Sequence, residues 1–272
     1  MYWEVLNNNC IFAFLPELES LFGARNLVFG EPYHQLCSDI YGTEQIAEWK
    51  RHYRFLFETC DAVKKLTSFG LQDFLLDMID KDFTAEGFQT NLFSLSQEER
   101  LFRQCDWEYI GIDQKDLQLA LTDDNALSRL YEKVEEMCPN YLALSAFVRQ
   151  NDRYIRDFLS LAAEMNTPKL QEELAKREDK IEELLNRVTE NLNSMEPLAC
   201  AEQLMGKSFR NRGPYERFYF LPSLLIPYAS VRLFYPNGTQ QNKQILFLSI
   251  REPERGQEQV LSALKALSDP TR

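Results

Sequence analysis

The residues of this chain that could do nucleophilic chemistry lie close together in one short segment. Glu31, His34 and Cys37 follow one another at steps of three. A thiolate beside a histidine base is a common catalytic pair, but such pairs are assembled by the fold and not by adjacency in sequence. The only other histidine is His52, and no third orienting group is identifiable. We therefore predict structural roles here and no enzyme; an intracellular hydrolase or transferase stays as an alternative.

The cysteines do not form a metal-binding or redox pattern. No two of them stand in a C-x-C or C-x-x-C arrangement, the spacing that preorganises zinc ligands or a redox disulfide. With two histidines in the chain, a metal site would depend on carboxylates that resemble ordinary surface charges. We expect reduced thiols, no metal and no cofactor. The cysteines are Cys10, Cys37, Cys60, Cys105, Cys138 and Cys200.

One basic segment interrupts a strongly acidic chain. The net charge of −12 argues against DNA binding by these residues, because phosphate contact requires a concentrated positive field. The segment is a candidate contact for an anionic ligand or a DNA phosphate, although a solvated loop is the favoured interpretation. It consists of Lys207, Arg210, Arg212 and Arg217, with the aromatic residues Phe209 and Tyr215 between them.

The chain has no sequence signal for a membrane or for export. No run approaches the roughly 20 apolar residues that cross a bilayer. The first residues carry Glu4 and a polar Asn7-Asn8-Asn9 where a signal peptide has basic residues and an apolar stretch. We predict a cytoplasmic protein that does not contact a membrane.

Apolar periodicity predicts that the first two thirds of the chain are mostly helical. A short strand at residues 2–6 is expected to precede a helix over residues 11–22. Thr43 followed by Glu44 is typical of a helix start, and one amphipathic helix is predicted over residues 43–63. Further helical stripes occur over residues 71–79, 126–137 and 141–165.

Residues 168–195 are predicted to form one long, continuous helix. Pro168 suits its first turn, and Glu173 with Arg177 and Glu183 with Arg187 have the acid-first i,i+4 order that supports an exposed surface. A coiled-coil or dimer helix is one interpretation. An ordinary helix with one side in solvent is favoured, because the apolar stripe lacks a strict a/d pattern.

The sequence changes character after Pro197. Residues 217–221, 229–235 and 244–250 are aromatic and β-branched runs bounded by turn residues, which predicts three strands. A turn containing Gly238 should join the last two as an antiparallel hairpin, and residues 2–6 could add a strand. A helix is expected over residues 257–267. The predicted fold class is α+β and mostly α: a helical bundle with a small antiparallel sheet near the C-terminus and a terminal helix.

The last residues have the chemistry of a junction between two helices. Asp269 can cap a following helix, and Pro270 suits the first position of that helix because its φ is already fixed. The segment is Leu264-Lys265-Ala266-Leu267-Ser268-Asp269-Pro270-Thr271-Arg272. It resembles the opening of the winged-helix domain of the ArsR (arsenical-resistance-repressor) family of bacterial transcriptional regulators. In that family these residues lead from the first helix into the second.

The resemblance covers only these terminal residues, and it implies two regions of the chain with different roles. Residues 1–255 would form an effector-sensing or dimerisation region, and residues 256–272 would begin a winged-helix domain whose remainder is absent. The implied partners are operator DNA, through the missing domain, a second copy of the chain and an unknown small-molecule effector. The motif positions are Leu264, Ala266, Leu267, Asp269, Pro270, Thr271 and Arg272. A helical protein-interaction module is the alternative.

Overall fold

The computed structural model describes residues 2–30, 34–66, 72–79, 82–105, 107–209, 215–226, 230–234 and 243–251. Helices dominate this part of the chain, together with one small sheet, so the α+β, mostly helical class is confirmed. The strands are β1 (Tyr2–Val5), β2 (Cys10–Phe14), β3 (Arg217–Ser223), β4 (Ser230–Phe234) and β5 (Lys243–Ser249).

In chain order, the helices of the described residues all lie between β2 and β3. They are α1 (Pro16–Phe29), α2 (His34–Tyr41), α3 (Thr43–His52), α4 (Arg54–Val63), α5 (Gln72–Met78), α6 (Ala85–Ser94), α7 (Gln97–Gln104), α8 (Gln114–Ala120), α9 (Asp124–Val134), α10 (Tyr141–Arg149), α11 (Asn151–Met165), α12 (Pro168–Ala175), α13 (Glu178–Leu192) and α14 (Pro197–Met205), with a 3₁₀ turn at Trp107–Ile110. None of these helices is long and apolar enough to cross a bilayer. The helix predicted over residues 257–267 lies outside the described residues.

The sheet is mixed, so the prediction of an antiparallel sheet was wrong in its centre. The strand order is β1-β2-β3-β5-β4. β3 pairs in parallel with both β2 and β5, while β1 with β2 and β4 with β5 are antiparallel. The antiparallel pairing of β4 with β5 is as predicted, and so is the strand formed by residues 2–5 in the same sheet. β3 and β5 have buried apolar residues on both faces, as parallel central strands require.

The helix predicted over residues 11–22 was wrong in its first half. Cys10–Phe14 is a strand lying between β1 and β3, and the run of buried apolar residues suits a strand covered on both faces. α1 begins only at Pro16, whose fixed φ suits a first turn, and it ends at Gly30 in the left-handed conformation with φ of 67°.

Three predicted helices are interrupted near their middle. Tyr53 separates α3 from α4, Gln150 separates α10 from α11, and both have φ and ψ outside the helical region. Residues 168–195 are likewise two helices and not one. There the side chain of Arg177 donates to the carbonyl oxygen of Glu173, the acceptor that its own backbone N–H would use, and that N–H bonds to Leu174 instead. Side-chain competition for a backbone acceptor thus explains the break.

α1 is buried along its length, with other helices and the sheet packed against it. All residues from Leu18 to Val28 are buried, so the helix has no solvent-facing side. It contacts α2, α4 and α11, and the ring of Phe22 meets that of Phe247 on β5 edge to face, with 4.9 Å between centroids. The core therefore joins the helices and the sheet through α1.

A matched pair of leucines on α10 tests this core. Leu144 is fully buried and Leu142 is 77% exposed, two positions away on the same helix. We expect Leu144→Ala to lower the free energy of unfolding by about 2–5 kcal/mol, because it removes buried methyl groups and leaves a cavity. Leu142→Ala should change it by less than about 0.5 kcal/mol. Urea unfolding followed by circular dichroism measures both, and equal effects would refute the assigned burial.

Candidate functional site

The terminal motif and part of the basic segment lie outside the described residues. This applies to Leu264, Ala266, Leu267, Asp269, Pro270, Thr271 and Arg272, and also to Arg210 and Arg212. Glu31 likewise lies outside the described residues. Lys207 and Arg217 are described, and both are exposed.

Within the described part of the basic segment, Lys207 contacts the edge strand of the sheet. The Nζ of Lys207 donates to the carbonyl oxygen of Ser230, the first residue of the edge strand β4, at 2.9 Å. Arg217 lies opposite Lys243 where β3 and β5 begin. Lys207 therefore covers a backbone acceptor of the edge strand, one way in which a sheet edge is protected.

The aromatic residues of this segment contact an arginine of β4. The guanidinium carbon of Arg232 lies 4.4 Å from the ring centroid of Phe209 and 5.4 Å from that of Tyr215, whose hydroxyl accepts a hydrogen bond from Arg232 Nη2 at 3.0 Å. Burial lowers the pKa of Arg232 below its ordinary value. These rings therefore pack against the protein's own cation and do not form an open stacking surface.

The segment with Glu31, His34 and Cys37 has no activated thiol. Cys37 lies in α2 with no solvent exposure, and burial raises the pKa of its thiol to about 12. His34 begins α2, and His52 is exposed at the end of α3. Across the described ranges no disulfide joins the cysteines, and no cluster of three or more His, Cys, Asp or Glu is placed to hold a metal ion.

The strongest candidate site lies at the carboxyl ends of the central strands. In open sheets with parallel strands, ligands bind beyond these ends, where loops and helix termini converge. Here β3 ends at Ser223 and β5 at Ser249, and the N–H of Ile250 donates to the carbonyl oxygen of Ser223 at 3.0 Å. Arg251 follows, and the chain then continues into residues 252–272, which contain the junction motif.

A buried carboxylate from α1 binds the backbone just after the end of β3. Oε2 of Glu19, which is 1% exposed, accepts hydrogen bonds from the N–H groups of Leu224 at 3.1 Å and Leu225 at 2.7 Å. Further along α1, Asn26 Nδ2 donates to the carbonyl oxygen of Leu225 at 2.6 Å. Two side chains of one helix therefore satisfy the backbone that follows β3.

Opposing effects act on the pKa of Glu19. Desolvation raises the pKa of its carboxyl from 4.5 to about 7, against the opposing effects of hydrogen bonds from Leu225, Ser223 and Leu224 and of the positive charge of Arg251. Arg251 is itself fixed by Ser249, whose Oγ accepts from Arg251 Nε at 3.1 Å. Glu19 thus connects α1, the end of β3 and the residue that precedes the junction segment.

Glu19 was not among the residues predicted from the sequence to form a site. Its signal was present, because Glu19 stands among apolar residues in a helix that shows almost no amphipathic periodicity. A charged residue in such a helix is expected to be buried with partners.

Comparisons of the chain with protein-family models, with curated proteins and with solved structures found no match.

Replacing Glu19 by its neutral isostere should change how stability depends on pH. Between pH 4.5 and 7 the folded protein binds a proton at Glu19 that the unfolded chain has released, so this group makes the protein less stable as pH rises through that window. The loss is on the order of 2–3 kcal/mol. Glu19→Gln keeps an acceptor for Leu224 and Leu225 and should flatten the dependence.

Urea unfolding at pH 5, 6.5 and 8 measures this effect. Glu44→Gln removes one carboxylate from an exposed position of α3 and is the matched control, which should keep the wild-type slope. If Glu19→Gln showed the same slope as the wild type, the carboxyl would not titrate in this range.

Proposed function

We propose that residues 1–255 form the regulatory region of an ArsR-like bacterial transcriptional regulator and that residues 256–272 begin its winged-helix domain. The observation that carries this proposal is the terminal motif from Leu264 to Arg272. The order of these residues resembles the first junction of that DNA-binding domain. The proposed effector is an unknown small molecule or a protein partner.

The path from the regulatory region to the DNA-binding domain runs through β5. This strand has partners on both sides, β3 and β4, so its end moves only when the sheet or α1 moves. Beyond it, Ile250 is hydrogen-bonded to Ser223, and Arg251 lies within the field of Glu19. A ligand that stabilised one arrangement at this edge would change where residues 252–272 leave the body, which is a population shift between two domain placements.

The regulator would act as a cytoplasmic homodimer on operator DNA. Winged-helix and helix-turn-helix proteins read two half-sites, whose spacing is set by the distance between two DNA-binding domains. The strongly acidic body, with net charge −12, would contribute little to phosphate contact and would place the two domains instead. No catalytic step is assigned to it.

The alternative of a protein-interaction module has weaker support. It would use the apolar stripe of residues 168–195 as a docking surface. Leu170, Leu174, Ile181 and Val188 are buried in the protein's own core, and Leu184, Leu185 and Leu192 are half-buried. Little of this stripe is left for a partner. The hydrolase or transferase alternative is disfavoured by the buried, protonated thiol of Cys37.

The DNA sequence downstream of the codon for Arg272 and a gel-shift experiment test the proposal together. We expect the reading frame to continue into a recognition helix and a two-stranded wing. The extended protein should bind a specific fragment upstream of its own gene, and the chain of residues 1–272 should not, because it lacks a recognition helix. Random-sequence DNA of equal length is the control.

Two results would overturn the proposal. One is tight, sequence-specific binding by residues 1–272 alone, and the other is an extended protein that binds no fragment more strongly than random DNA.

A further inference from the structure

A small cavity lies between α13 and the end of β5. Its volume is about 150 Å³, and its walls include Lys180 and Arg187 from α13 and Ser249 and Arg251 from the sheet. Among the described residues Glu183 is the one acidic residue in this lining, so the described walls have an excess of positive charge in a protein of net charge −12. An excess of cations around a partly open cavity is the electrostatic arrangement that attracts an anion.

The two cations of α13 lie on the same face of the helix. Lys180 and Arg187 are two turns apart, and Glu183 lies between them at the i,i+4 spacing that favours an ion pair with Arg187. That pair does not form: within the described ranges Arg187 makes no hydrogen bond and no ion pair. The guanidinium therefore lines the cavity without being engaged by its nearest acidic neighbour.

The third cation is held on the opposite wall. The backbone N–H and the Nε of Arg251 both donate to Ser249 Oγ, at 3.3 and 3.1 Å. This double contact fixes the guanidinium of Arg251 at the end of β5. The cavity is thus bounded by one arginine on a helix, one arginine on the sheet and a lysine beside them.

We propose that this cavity binds a phosphate group, either free or as the terminal group of a small metabolite. Guanidinium groups match the oxygens of phosphate with paired hydrogen bonds, and a lysine adds a point charge. The volume is below the roughly 300 Å³ at which pockets for drug-sized ligands begin, so only a compact anionic group fits inside.

Binding would act directly on the residue that leads to the junction segment. Arg251 faces both this cavity and the carboxylate of Glu19, and it immediately precedes residues 252–272. A bound phosphate competes with Glu19 for the charge of Arg251 and holds the end of β5 against α13. This regulatory consequence rests on the proposed function, whereas the binding itself does not.

Isothermal titration calorimetry of the chain with two probes tests the binding. Inorganic phosphate and glycerol 3-phosphate are titrated separately into the protein in chloride buffer of constant ionic strength. We expect saturable binding at one site, weakened about tenfold or more by Lys180→Gln with Arg187→Gln, since each removes a charge-assisted hydrogen bond. Tighter binding of glycerol 3-phosphate indicates a metabolite, and tighter binding of inorganic phosphate indicates the free ion.

Lys65→Gln with Lys169→Gln is the matched control. Both residues are exposed and neither lines the cavity, and the variant loses the same net charge. It should keep wild-type affinity. Thermal melting by circular dichroism establishes that each variant folds; Arg187→Gln alone, at an exposed position, replaces the double variant if that one does not.

The proposal is overturned if neither probe binds saturably, if the cavity variant binds like the wild type, or if the control loses affinity equally. The measurement uses no DNA. Failure to bind phosphate therefore leaves the regulator proposal standing, and failure of operator binding leaves the phosphate site standing.

Discussion

The enclosure of α1 is the constraint on which the rest of the fold depends. A helix with no solvent-facing side must find partners inside the protein for each of its polar groups, because an unsatisfied buried group costs several times what a typical hydrogen bond contributes. Glu19 and the Nδ2 group of Asn26 do so by bonding the backbone that follows β3, whereas Asn26 Oδ1 is buried with no partner among the described residues. The same contacts hold α1 against the sheet. They therefore both bond buried polar groups and fix the position of the helix.

The position of the candidate sites follows from this arrangement. Because β2, β3 and β5 are parallel, their carboxyl ends meet at one edge, and α1 follows directly from β2 at that edge. Glu19 thereby reaches the end of β3, and Arg251 reaches both Glu19 and the cavity beside α13. A mixed sheet brings these groups together, whereas a purely antiparallel sheet would have distributed its strand ends over two edges.

Local patterns predicted much of the fold, and long-range pairing explains what they missed. Apolar periodicity located α3, α4, α9, α10 and α11, and the turn around Gly238 predicted the hairpin of β4 and β5. The apolar periodicity continues past Tyr53 and Gln150, because a break of one residue in the helix leaves the stripe of buried residues intact. Cys10–Phe14 became a strand through its partners β1 and β3, which no local signal reveals. Glu19 and Arg251 were missed for the same reason, since their significance depends on residues far away in sequence.

The burial of α1 also determines which backbone amides solvent can reach. In a helix covered on every side, no local opening exposes an N–H to water without displacing the neighbouring helices or the sheet. Its amide protons should therefore exchange with deuterium only when the whole protein unfolds, at the slow limit of native-state exchange. The interior of the molecule is in this sense a single cooperative unit, and α1 reports its global stability.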